Sequence, residues 1–191
     1  MNRISKILTA CVLAGAAHLA SASSNLVLSP SASAVNVGDT FDISVQGTDF
    51  LDILIGGGFD LDFDASLLTL DGMTINVLQW EFKPIKGTTD NTSGILSGVS
   101  FATFNPPASA DTDFDVALLH FTAKGAGNAL LTLQPSGNFP FANDLGDVVP
   151  VNFGSGTVAI TAVPVPAGIV LMLSCLGPLA ARRRAARNAQ R

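Results

Sequence analysis

Apolar and polar residues alternate with period two along most of the middle of this chain. Phe41, Ile43 and Val45 interleave with Thr40, Asp42 and Ser44, and Phe59, Leu61 and Phe63 interleave with Asp60, Asp62 and Asp64. Successive side chains of a strand point to opposite faces, so each segment predicts a strand buried on one side and solvated on the other. Further strands are expected at 25–29, 68–77, 94–104, 114–123, 129–134, 148–153 and 157–161. Turns are expected at 37–39, 56–58, 71–72, 124–127, 135–137 and 154–156, where glycine, proline, aspartate and serine gather. One helical turn is predicted at 64–67, with the Asp64 carboxylate accepting backbone N–H bonds. Many short strands between such turns predict an all-β antiparallel sandwich.

The two ends read differently. Arg3 and Lys6 precede an apolar run at 7–17, and Ala20-Ser21-Ala22 is a small-x-small cleavage site. Residues 1–22 are therefore expected to be a secretory signal peptide, cut after Ala22. A competing lipobox ends at Cys11, but the apolar run before it is only 7–10, shorter than the roughly 7–15 residues export needs. At the other end, an apolar run at 167–181 is followed by Arg182, Arg183 and Arg184. Guanidinium groups stay on the cytoplasmic side of a bilayer, so these arginines are a stop-transfer signal. Fifteen helical residues span about 22 Å against a hydrocarbon core of roughly 30 Å, which makes a marginal anchor. This tail, residues 163–191, resembles a PEP-CTERM sorting signal, with Pro164-Val165-Pro166 standing where that signal has Pro-Glu-Pro. The resemblance implies recognition near Val163, Pro164, Val165 and Pro166 by an exosortase-type enzyme after transient residence in the inner membrane. It further implies delivery to the cell surface or extracellular matrix of a Gram-negative bacterium.

Residues 23–162 are left as one domain, long enough for a single core. Both cysteines, Cys11 and Cys175, lie outside it, so packing must hold it without a disulfide. All 15 acidic residues fall inside it, against Lys83, Lys86 and Lys124, a formal charge of −12. Across the domain as a whole such a charge repels nucleic acid and anionic lipid headgroups, so neither is an expected ligand.

Several stretches of this domain resemble cohesin-like domains when taken in order: 26–30, 37–41, 58–64 and 67–70, then 117–127, 130–133, 149–153 and 156–160. The resemblance implies a jelly-roll β-sandwich of about nine strands, related to carbohydrate-binding modules. Cohesins proper bind dockerin modules, so a dockerin-like protein or a polysaccharide is the implied partner. No short motif assigns the binding face to particular residues.

Candidate chemistry is sparse. Asp60, Asp62 and Asp64 suit a calcium site in residue type, but the loop lacks the glycine and glutamate of an EF-hand. On a strand they sit about 6.7 Å apart, whereas oxygens sharing one calcium lie within about 5 Å. Structural calcium would need a bend, so a solvated acidic face is the expected reading and calcium its alternative; no other cofactor is expected. Asp111, Asp113 and Asp115 repeat the pattern. A glycosidase needs two carboxyls about 5–9.5 Å apart with one pKa raised. Exposed alternating acids do not supply that, so the domain is expected to be non-enzymatic. His120, lone in the domain, is expected at a sheet edge or rim. Sugar rings stack on aromatic faces, and Trp80 is the one tryptophan, hence the candidate ligand contact, with core burial as its alternative. Asn91-Thr92-Ser93 is a glycosylation sequon expected to be unused. The expected function is non-catalytic binding of a protein or polysaccharide by an exported sandwich. A dedicated carbohydrate-binding module is the runner-up, and a polysaccharide hydrolase stands third. Replacing Arg182, Arg183 and Arg184 with glutamine should leave the tail uncut, visible as an unprocessed band on immunoblots of fractionated cells.

Overall fold

A computed structural model describes residues 24–107 and 109–163. Its strands are β1 (Ser24–Pro30), β2 (Ala34–Asn36), β3 (Thr40–Thr48), β4 (Leu54–Phe63), β5 (Leu68–Ile75) and β6 (Ile85–Asp90), followed by β7 (Ile95–Ala102), β8 (Phe114–Ala123), β9 (Gly127–Pro135), β10 (Ala142–Asn143), β11 (Val151–Phe153) and β12 (Ser155–Thr161). The smaller sheet runs β11-β1-β3-β8-β5; the larger runs β2-β12-β9-β4-β7-β6, with β10 pairing β4. Among the described residues only β1 with β11 and β12 with β2 are parallel. The chain changes sheet at nearly every connection, and the result is a jelly-roll β-sandwich. No helix among the described residues is long and apolar enough to cross a membrane. The expected signal peptide, tail helix and arginine cluster lie outside the described residues.

Alternation explains the layers. In β3, Phe41, Ile43 and Val45 are buried while Asp42 and Ser44 are half-exposed. In β8, Leu119 and Phe121 point inward and His120 and Thr122 outward. The facing inner surfaces hold aromatic rings at both ends of the sandwich. Phe41, Phe63 and Phe121 cluster at one end, with ring centroids 5.5 to 5.9 Å apart. Phe50, Trp80, Phe101, Phe114 and Phe141 cluster at the other, at 4.7 to 5.8 Å. Among the described residues the core lies wholly between Leu26 and Ile160, so the segment 23–163 contains it.

Two expected turns are strand instead. Gly56, Gly57 and Gly58 sit inside β4. A Cβ on Gly57 would lie 2.7 Å from the Phe141 ring, and one on Gly58 would lie 2.4 Å from the Val99 carbonyl oxygen. These glycines exist for close approach, which composition does not distinguish from a turn. Asp71-Gly72 is likewise a bulge within β5, where the register against β8 shifts. Three strands went unexpected. β6 is exposed at every position, so it has no alternation to read; pairing with β7 makes it a strand. β2 and β10 are too short for any period.

The β6–β7 turn also ties the sheets together. Asn91 Nδ2 donates to the Leu70 carbonyl and its Oδ1 accepts from the Leu70 N–H, at 3.0 and 2.8 Å. The sequon asparagine thus imitates a neighbouring strand along the β5 edge. Gly57→Val should destabilise the domain by about 1–3 kcal/mol through overpacking, read as a lowered urea midpoint. Gly72→Ala, where a Cβ meets nothing within 4 Å, should change it by less than about 0.5 kcal/mol.

Candidate functional site

Each sheet presents one outer face, and the two differ in kind. On the smaller sheet the polar side chains bond one another. Asp115 Oδ1 accepts from Ser44 Oγ and Gln46 Nε2 at 3.1 and 2.8 Å. Thr122 donates to Asp71. His120 Nδ1 lies 2.7 Å from Asp42 Oδ1, and its Nε2 lies 3.3 Å from Thr74 Oγ1. His120 is not at an edge or rim as expected: β8 lies between β3 and β5, and the ring stands half-exposed on the sheet's outer face. Hydroxyl, imidazole and carboxylate stand in the order of a hydrolytic relay, but an open sheet face gives no enclosed, water-poor cavity for such chemistry.

The smaller sheet also exposes Leu118 of β8, at 36%, but the larger sheet's outer face leaves more apolar surface in water. Toward one end of it, Asp62 of β4 pairs with Thr132 of β9 on one side and Ile95 of β7 on the other, and Ile95 pairs with Asp90 of β6. Ile95 is 41% exposed, and Leu130 on β9 is 54% exposed. An isoleucine between two carboxylates, with a leucine nearby, makes a mixed apolar and acidic strip.

The three candidate calcium ligands do not converge. Asp60 Oδ1 accepts the Gly98 N–H at 2.7 Å. Asp62 is exposed on the strip. Asp64 Oδ1 accepts the Ser66 N–H at 2.9 Å, while its carbonyl accepts the Leu68 N–H at 2.9 Å, closing the expected single turn. Among the described residues no three His, Cys, Asp or Glu side chains are placed to share a metal. Asp111, Asp113 and Asp115 also diverge, with Asp115 committed to Ser44 and Gln46 and Asp111 Oδ2 facing Gln79 Nε2 at 3.5 Å.

Trp80 lies in the core, the alternative open to it in the sequence. It is 2% exposed, packed edge-on against Phe101 and Phe114, and its Nε1 donates to the Asp115 carbonyl at 3.2 Å. Alternation does not reach loop residues, so its burial was open in the sequence. Of the sorting residues only Val163 is among the described ones, and it is exposed; Pro164, Val165 and Pro166 lie outside them, as do Ala20 and Ala22.

The acids with displaced pKa values move away from acid catalysis. Glu81 is held down to about 2 by its own backbone N–H, the Thr103 hydroxyl and the Phe104 N–H. Asp64 is lowered chiefly by the Ser66 hydroxyl and amide, and Asp90 by the Ser93 hydroxyl and Thr92 amide. A general acid needs the opposite shift.

No protein-family model matches the chain, and no curated protein resembles it in sequence. Solved structures do. A cohesin of Clostridium acetobutylicum is 21% identical, with a TM-score of 0.59 covering 73% of this chain and 91% of the cohesin. The cohesin module of a family 33 glycoside hydrolase from Clostridium perfringens is 14% identical, with a TM-score of 0.60, covering 74% and 99%. The cohesin of a type I cohesin–dockerin complex from Clostridium thermocellum is 12% identical, with a TM-score of 0.59, covering 72% and 99%. The chain therefore has the cohesin fold.

Lowered carboxyl pKa values stabilise the fold above the ordinary value, which for Glu81 is 4.5, and that stabilisation disappears as pH falls toward 2. Urea unfolding should show the midpoint dropping through this window, and Glu81→Gln should make the drop shallower.

Proposed function

We propose that this chain is an exported, non-catalytic docking module whose larger sheet binds a protein partner. One observation carries the reading: Ile95 and Leu130 stand exposed beside Asp62 and Asp90, whereas the other sheet's polar groups are bonded among themselves. An apolar centre with a charged rim is what a protein interface uses. Solved neighbours of the same fold are described in complex with dockerins, and a dockerin-like protein is the partner proposed here. Support for non-catalytic action comes from the open faces and the lowered carboxyl pKa values.

The route to the surface is a proposal resting on the two termini. The signal peptide directs export, the arginines hold the tail in the inner membrane, and an exosortase-type enzyme removes it. The module then reaches the cell surface or extracellular matrix. Polysaccharide binding is a second reading, favoured by a groove walled by Phe82 and Phe139.

The test is titration calorimetry of the segment 23–163 against dockerin-type modules encoded by the same bacterium. Binding by at least one is expected, and Ile95→Lys should weaken it about 30-fold or more, the scale of an interface hot spot of about 2 kcal/mol. The melting temperature should stay unchanged. Unaltered affinity in Ile95→Lys, or no binding by any such module, would reject the docking strip.

A further inference from the structure

The larger sheet carries a second feature on its outer face, at the end away from Ile95. A groove of about 390 Å³ is floored by Gly56 of β4 and Ser100 and Ala102 of β7, and walled by Phe82, Ile85 and Phe139. Ser100 is five residues from Ile95 on the same strand, about 17 Å along it. That volume lies within the roughly 300–1,000 Å³ typical of small-ligand sites.

Its charge is opposite to that of its surroundings. None of the domain's 15 acidic residues lines it, yet Lys83, one of three lysines among them, does. Glu81, two residues away, belongs to the neighbouring cleft with Trp80, Thr103 and Asn105. Its Oε1 accepts from the Phe104 N–H at 2.9 Å and from Asn105 Nδ2 at 3.1 Å. Those bonds hold the strand of chain before β6 against Phe104, whose ring centroid is 3.8 Å from that of Phe82. The Phe82 wall is therefore fixed before any ligand arrives.

Lys83 is fixed too. Its φ is +43°, in the left-handed region that non-glycine residues rarely occupy, and it directly precedes Pro84. Its Nζ stands 5.5 Å from the Phe82 ring centroid. Among the described residues the sole ion pair is His120 with Asp42, so no described carboxylate is in direct contact with the ammonium. Backbone held in a sparsely populated conformation at a cleft is a mark of functional sites.

We propose that this groove binds an anionic polysaccharide, one pyranose ring lying between Phe82 and Phe139 with its carboxylate on Lys83. The proposal rests on the polysaccharide reading and gives it a site and a ligand class. Ring faces suit the apolar C–H faces of a sugar, and the acid-free lining with one cation selects a negatively charged one. A peptide strand is disfavoured, because the floor strands are already paired, Gly56 with Ala102 and Gly58 with Ser100. They leave no open edge for strand addition.

Affinity electrophoresis in gels containing polygalacturonate, with EDTA present to remove calcium bridging, tests this on the full chain in mild detergent and on the segment 23–163. Retardation is expected, and the fully methyl-esterified polymer, the same ring without charge, should retard at least about tenfold less. Lys83→Ala and Phe139→Ala should each lose about tenfold in affinity with unchanged melting temperature, and Lys83→Arg should keep most of it. Ile95→Lys should bind as the parent does, which separates this groove from the protein-docking strip. The proposal is overturned by absence of retardation, by equal retardation in the esterified polymer, or by full binding in Lys83→Ala. Equally tight binding of polyglutamate would replace the saccharide with an acidic peptide and also overturn it.

Discussion

Everything on the outside of this molecule depends on two inner faces closing on each other without a covalent staple. The domain has no cysteine, so aromatic and branched side chains must fill the space between sheets. They do so at both ends, with Phe41, Phe63 and Phe121 at one and Trp80, Phe101, Phe114 and Phe141 at the other. Ring pairs of this kind add about 0.5–1.5 kcal/mol beyond the area they bury. The glycines of β4 belong to the same constraint. Gly57 leaves room for Phe141, and without that room the second aromatic cluster could not form.

A sealed interior frees the outward positions for other work, and the two sheets use that freedom differently. The smaller sheet ties its polar groups together, Asp42 with His120 and Asp115 with Ser44 and Gln46. Leu118 apart, such a face has little left to offer a partner, because its donors and acceptors are already engaged. The larger sheet keeps Ile95 and Leu130 in water near Asp62 and Asp90, and at its far end it opens into the Phe82–Phe139 groove. Exposed apolar groups that bury nothing within their own fold are the ones that gain from a partner.

The strands that could be read in advance were those half in water. β3 and β8 alternate because one face meets the core and the other meets solvent. β6 could not be read, since all its side chains are exposed, and Gly56–Gly58 were misread because glycine marks both a turn and a tight contact. Among candidate site residues, Asp64 performs the local capping expected of it, since that bond spans only two residues. Asp60 bonds Gly98 across 38 positions of sequence, a partner no local pattern indicates. Trp80 lay outside any alternating segment, and its burial follows from Phe101 and Phe114, far along the chain. The Ile95 strip and the Lys83 groove were equally hidden, because each is assembled from three or more strands or loops.

By itself, then, the sequence determined the all-β class, the face to which each alternating residue points, the segregation of charge and the absence of a disulfide. These follow from period, composition and residue chemistry, which act over a few neighbouring residues. Tertiary structure alone decided which strands lie side by side, and hence that Asp62 meets Ile95, that Asn91 caps Leu70 and that Lys83 lines the groove beside Phe139. Those are contacts between distant segments, set by how two sheets must twist and interlock to exclude water from a common core.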